Sequence, residues 1–330
     1  MQFRIKLELV VLVCMFLGSV SSASAQQKGQ WVPGQFGLNA GVIPDPGISY
    51  ANLALNYSAG QLNNSSGNAI PGITGTYSFW VDENIFYYVP NHKILGGYFC
   101  PYVAVNYATG ELVASFTGTS LSGAGGGSGF ADMYVQPLQI GWHFGNRVDF
   151  VAGYAFTAPT GRFTQGASDN VGSGYWGNNI TSGTTFYITK NHGTSANLST
   201  DWEIHGKKSG TNVTPGQAFT TEWGFGQVLP LKKDMSLLGQ IGVVGYDQWQ
   251  VSHNGGTILG IPASVIPFYS VHAVGVQANL ILPAKNLSTF FKYYDEYRAL
   301  ARPQGRTFVF GFSWTLRMPK PEPPAPAAKS

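Results

Sequence analysis

The sequence predicts an all-β fold, a closed transmembrane antiparallel β-barrel of about 12 strands placed in a bacterial outer membrane. Three observations carry that expectation. Charged residues make up 11% of the chain against 44% hydrophobic and 14% aromatic, where a soluble domain carries about 25% charged. Beyond residue 25 no apolar run approaches the roughly 20 residues that a membrane-crossing helix needs. In lipid, such a chain must pair its backbone polar groups between strands and close the sheet. Finally, segments that alternate with a period of two, bulky apolar on one face and small or polar on the other, recur to the end of the chain.

Taken in order, residues 1–25 have the make-up of a cleavable signal peptide: Arg4 and Lys6, an apolar run from Leu9 to Leu17, then Ala23-Ser24-Ala25. Cys14 would leave with it, so Cys100 remains alone and no disulfide forms within the mature chain. Residues 26–46 hold Trp31, Val32, Pro33 and Phe36 among Gly and Gln. They read as a lead that either folds into the lumen as a plug or stays disordered in the periplasm. The barrel itself is expected over 47–318.

Its clearest strands are 148–157, 197–205, 219–226, 287–298 and 306–318. In the last, Phe308, Phe310, Phe312, Trp314 and Leu316 alternate with Thr307, Val309, Gly311, Ser313 and Thr315. Aromatics facing lipid and small residues facing a lumen are what an outer-membrane barrel requires. Weaker strands are expected at 47–58, 76–89, 94–107, 130–143, 183–190, 235–250 and 268–282. In 76–89 aromatics fall on both faces and the inward face stays undecided. Tight connections at 90–93, 144–147, 231–234 and 283–286 alternate with long loops, among them 59–75, 108–129, 159–182 and 251–267. Short periplasmic turns and long outer loops follow this rhythm, and an even strand count puts both chain ends in the periplasm. Residues 319–330 are Pro-rich and read as an extended periplasmic tail.

Alternation turns Asp149, Asp201, Glu203, His205, Glu222, Lys292, Tyr294, Glu296 and Arg298 into the lumen, with Tyr98 and Tyr102 on the inner face of the third strand. These groups suit two arrangements. They line a wet passage of mixed charge, without strong ion selectivity, or they pair across a narrow closed barrel. Tyr175 and Trp176 in an outer loop offer either an aromatic route for solutes or the usual interfacial girdle. Pro137 interrupts a strand and calls for a bulge or, more consequentially, a lateral opening in the wall.

Several patterns resemble outer-membrane proteins grouped under the meta-cleavage pathway of phenol degradation. They are Pro44-Asp45-Pro46-Gly47, Ile94-Leu95-Gly96-Gly97-Tyr98, Gly129-Phe130-Ala131-Asp132 leading to Gln136-Pro137 and Gly141-Trp142, and Pro159-Thr160-Gly161. The resemblance spans most of the mature chain. It implies an outer-membrane barrel that takes up hydrophobic or aromatic compounds, and it brings no catalytic residues.

For enzymatic chemistry the nearest signal is Ser252-His253, but neighbours on a strand point to opposite faces and no acidic residue stands nearby to orient the histidine. The six histidines show no metal-ligand spacing. The expectation is therefore a non-enzymatic channel or transporter without metal or cofactor, or else a closed structural or surface-binding barrel. The partners expected are outer-membrane lipid, the barrel-assembly machinery and small apolar or aromatic solutes; a net charge of +3 gives no footprint for nucleic acid.

Overall fold

The structure, a computed structural model, describes residues 29–119 and 122–317. The signal peptide read at 1–25, residues 26–28 and the tail 319–330 lie outside the described residues. Twelve strands form the wall: β1 (Gly47–Leu62), β2 (Ile73–Val89), β3 in two pieces (Gly97–Phe99 and Tyr102–Phe116), β4 in two pieces (Ser122–Phe130 and Met133–Phe144), β5 (Val148–Ala158), β6 (Gly177–Tyr187), β7 (Thr194–His205), β8 (Ala218–Pro230), β9 (Leu238–Gln250), β10 (Ser270–Leu282), β11 (Leu287–Leu300) and β12 (Pro303–Arg317). Each pairs antiparallel with the next, and β12 returns to β1 with Phe310 opposite Ala54. The barrel is closed, which leaves no sheet edge to satisfy in lipid.

Alternation decides what faces outward. Along β12, Phe308, Phe310 and Trp314 are exposed while Thr307 and Val309 are buried; along β7, Leu198, Trp202 and Ile204 are exposed while Asn197, Ser199 and Asp201 are buried. The undecided β2 resolves in the same way: Tyr77, Phe79, Glu83 and Ile85 are buried, and Trp80, Phe86 and Tyr88 face out. A polar break in the outer belt lies on β1 and β2. There Asn52 Nδ2 donates to Asp82 Oδ1 at 2.6 Å and the Tyr50 hydroxyl to Asn84 Oδ1 at 2.5 Å. These side chains satisfy one another where lipid offers no partner.

Several strand ends differ from the sequence reading, and three of the differences have a local reason. The Gly-Ser run expected as a loop within 108–129 is strand: Gly123 to Gly129 pair with β3, Leu112 opposite Gly125. Glycines carry no side-chain period, so nothing in the pattern announces a ladder their backbones can still form. The strand expected at 183–190 spans 177–187, because polar Asn178 and Asn179 open it. Lys93 and Ile94 turn back on Tyr98 and Gly97 in a tiny hairpin, with Leu95 and Gly96 at φ of 51° and 79°, so β3 starts at Gly97.

Candidate functional site

Before β1 begins, the chain runs through the barrel interior, and the inner walls of β6–β11 are built to hold it. Glu203 on β7, Glu222 on β8 and Lys292 on β11 are all buried; alone in a dry lumen each would be strongly destabilising. Glu203 Oε2 accepts the backbone N–H of Gln30 at 2.5 Å and of Trp31 at 3.0 Å. Glu222 accepts the Trp31 indole at 3.0 Å and the Phe36 backbone N–H at 2.7 Å. The Lys292 ammonium donates to the carbonyls of Gly34, Gln35 and Phe36. The turn 34–36 is thus gripped by a cation on its carbonyls and an anion on its amide, and charge-assisted bonds of this kind are the strong ones.

Neutral groups continue the grip toward β1. Gln277 Oε1 accepts from Leu38 N–H at 3.0 Å, Asn197 Oδ1 from Asn39 N–H at 2.9 Å, and Thr185 Oγ1 from Gly41 N–H at 3.0 Å. Backbone meets wall so closely that glycine is required on both: a Cβ on Gly183 would lie 2.1 Å from the Ala40 carbonyl oxygen, and Gly37, at φ +97°, would drive one to 2.6 Å from Gln277 Oε1.

Two other polar clusters stand apart. Glu296 accepts the hydroxyls of Tyr57 and Tyr246 at 2.9 and 3.0 Å and the Gly305 N–H at 2.7 Å, with Arg302 Nη2 3.7 Å away. Beside the β4–β5 turn, Asp149 lies 2.6 Å from His143 Nδ1 and accepts the Tyr187 hydroxyl at 2.7 Å.

On the opposite wall the character changes. Trp31 stacks on Phe36 at 5.5 Å between centroids and tilts against Tyr134 at 5.7 Å; Tyr134 in turn stacks on Tyr102, and Tyr102 meets Tyr87. Beside this cluster a void open to solvent lies between Gly29–Val32 and Gln35 on one side and inward side chains of β1–β4, among them Leu53, Phe79, Glu83 and Asn106, on the other. Asp132 closes one side of it. Its Oδ1 accepts Gly161 N–H at 3.0 Å and its Oδ2 accepts Ser173 N–H at 2.7 Å, as well as the Ser173 hydroxyl. The patterns Gly129–Asp132 and Pro159–Gly161 are therefore two halves of one clamp that pins the β5–β6 loop across the lumen.

Of the residues singled out by sequence, Asp201, Glu203, His205, Glu222, Lys292 and Tyr294 come together around the interior segment, with Tyr102 across from them. His205 Nδ1 lies 2.8 Å from the Gly216 carbonyl and Nε2 3.3 Å from Glu203; Asp201 accepts from Asn179 at 2.8 Å. Tyr294 is fully buried with its ring against Gly34. Glu296 sits apart from them, and Asp149 and Tyr98 flank His143 at another place, Asp149 2.6 Å from its Nδ1 and Tyr98 with ring centroids 6.2 Å apart.

Arg298 must be corrected: it is exposed, not lumenal. A β-bulge shifts the register between His272 and Ala273, pairing His272 with Arg298 but Ala273 with Glu296. The extra residue reverses the parity of β11 beyond it, so Ala299 turns inward instead. Pro137 is exposed at another bulge, and pairing resumes on both sides, with Cys100 N–H donating to Gln139 O at 2.8 Å and Tyr102 opposite Gln136. The wall is not parted there. Tyr175 is buried with its ring 5.2 Å from that of His205, whereas Trp176 is exposed beside Phe156. Ser252 accepts Gln217 N–H at 2.9 Å and His253 Nδ1 lies 3.2 Å from Ser264 O, so the two point to different partners.

Sequence reasoning missed Gln248 and Gln277, which hold Trp31 and Leu38, although alternation along β9 and β10 would have turned both inward. It also missed Glu83, hidden in the strand whose faces were undecided. Among the described residues no group of three His, Cys, Asp or Glu side chains is placed to hold a metal ion.

A family model described as "Putative MetA-pathway of phenol degradation" matches residues 59–312, well over half of the chain. The chain belongs to that family. This member of the phenol-degradation family is similar in structure to the COG4313 outer membrane channel from Pseudomonas putida F1, with a TM-score of 0.66 and 14% identity over 86% of this chain and 99% of that one. Lower likenesses extend to the transport unit of the autotransporter AIDA-I from Escherichia coli (TM-score 0.49, 10% identity, 94% of this chain and 98% of that one) and to the beta domain of the Bordetella autotransporter Brka (TM-score 0.47, 12% identity, 82% and 100%). No curated protein matches the sequence. At such identities the first likeness speaks for the fold, and the family member is a β-barrel of the bacterial outer membrane.

Proposed function

We propose that this barrel is a passive conduit for small hydrophobic, chiefly aromatic, compounds, and that the segment 29–46 is a plug that sets its bore. The observation that carries the reading is the division of the lumen: the segment is bonded to β6–β11 and leaves a partly apolar void against β1–β4. Such a layout suits solutes that need contact area more than charge. It asks for no cofactor and no energy source. Outer-membrane lipid and the barrel-assembly machinery are the partners that this location supplies.

Proteoliposomes test it. Phenol and toluene should enter vesicles holding the protein faster than empty ones, and equal rates would end the transport reading. A closed structural barrel is the rival, and it draws support from the engagement of Glu203, Glu222 and Lys292 with the interior segment. A barrel of that kind would stay impermeable with the segment in place.

A further inference from the structure

We propose that the void between residues 29–35 and β1–β4 is a binding site for a compact apolar molecule carrying one O–H or N–H donor, with Glu83 as the acceptor that selects it. The proposal rests on the conduit reading above and names what the conduit would recognise. Leu53 and Leu55 from β1 and Phe79 and Val81 from β2 supply one wall, with Trp31 and Tyr134 beside them. These surfaces hold a ring or short chain without asking it for hydrogen bonds.

Glu83 stands in that wall. It shares the inward face of β2 with Val81 and Ile85 and is only 6% exposed. Glu203, Glu222 and Glu296 each accept two or more donors, yet the Glu83 carboxyl meets none among the described residues, and it lines the void. A second acceptor of the same lining is also unmatched: Asn106 donates through Nδ2 to Asp132 O at 3.0 Å while its buried Oδ1 has no donor. An acceptor shut away from water and left without a donor is costly, as Asn106 Oδ1 is, and the Glu83 carboxyl beside it faces the void with no protein donor. A hydrocarbon fills the space and leaves that deficit, a carboxylate solute adds repulsion, and an alcohol, phenol or amine ends it. Sites built around a hydrogen bond discriminate strongly against the analogue that lacks the donor.

Fluorine NMR titration of the full-length protein in detergent, referenced to protein-free micelles, tests this with 4-fluorophenol and 4-fluorotoluene. Wild-type protein should bind the phenol about tenfold or more tighter, the scale of a hydrogen bond to a charged group. Glu83→Leu should bring the two ligands level, and Glu83→Gln, which keeps an acceptor oxygen, should retain part of the preference. Val81→Trp should fill the void and abolish binding of both. Heat-modifiable gel mobility reports that each barrel is folded. Equal binding of the two ligands by wild type, or a preference that survives in Glu83→Leu, would overturn the proposal. Flux through proteoliposomes, run alongside, separates the two readings: selective binding without flux keeps the site and ends the conduit, while flux without selective binding keeps the conduit and ends the site.

Discussion

The two halves of the lumen enclose the same segment and treat it in opposite ways. From β6 to β11 the inner face carries Thr185, Asn197, Glu203, Glu222, Gln277 and Lys292, and each bonds to backbone within residues 30–41. From β1 to β4 it carries Leu53, Leu55, Phe79, Val81, Ile85 and Tyr134, with Glu83 and Asn106 as polar exceptions that bond to nothing in the segment, and these residues touch it by packing or stand off from it across a void. Polar walls fix position because hydrogen bonds are directional, while apolar walls exclude water without fixing an angle. A segment hydrogen-bonded on one side and only packed on the other leaves part of that second side open for something else. Trp31 lies on the seam, its indole N–H on Glu222 and its ring against Phe36 and Tyr134.

Changes made separately to each half test that division. The largest effect is expected from deleting residues 29–40, which should raise single-channel conductance and small-solute flux while the barrel stays folded. Unchanged flux would mean that the segment constricts nothing. Next comes Lys292→Met, which strips three buried carbonyls and Glu222 of their cation. Breaking a buried charged contact of this kind costs about 3–5 kcal/mol, here in docking of the segment, and it should expose a Leu38→Cys probe to thiol reagents while Cys100 stays buried. A probe that remains protected would place the grip elsewhere. Gly183→Val should loosen the same segment by about 1–3 kcal/mol through overpacking, read with the same probe. The smallest effect belongs to the apolar side: Tyr134→Phe loses a 3.3 Å bond to Gln136, worth about 1 kcal/mol or less, and should leave the segment docked. If it released the segment as Lys292→Met does, the contrast between the halves would collapse.

How much of this was legible in the sequence follows from what each residue's role depends on. Strands β7, β8 and β12 announced themselves because bulky outward residues alternate with small or polar ones. Asp201, Glu203, Glu222 and Lys292 could be turned inward by counting in twos. Arg298 defeated the same count, because one bulge residue reverses every position after it, and nothing at Tyr297 marks the bulge. Gly123 to Gly129 hid a strand for want of side chains. The interior segment was legible only as two alternatives. Its partners lie on six different strands, and which carboxylate meets which amide depends on how register accumulates around the barrel rather than on any local pattern. Glu83 was obscured by its neighbours: with Trp80, Phe86 and Tyr88 on the far face and Phe79 and Tyr87 on its own, β2 has no polar side to betray it.

The same long-range bonding constrains the order in which the molecule is made. Gln30, Phe36 and Gly34 meet their charged partners 173, 186 and 258 positions later in the chain, so the segment can take its first holds only once β7 and β8 exist and its last only with β11. Contacts so remote in sequence form late and slowly. A chain cut short after β8 would lack Gln277 and Lys292 as well as the strands that seal the wall, so an incomplete copy would have neither a barrel nor a fastened entry segment. The strands that complete the wall therefore also carry the last holds on what it encloses.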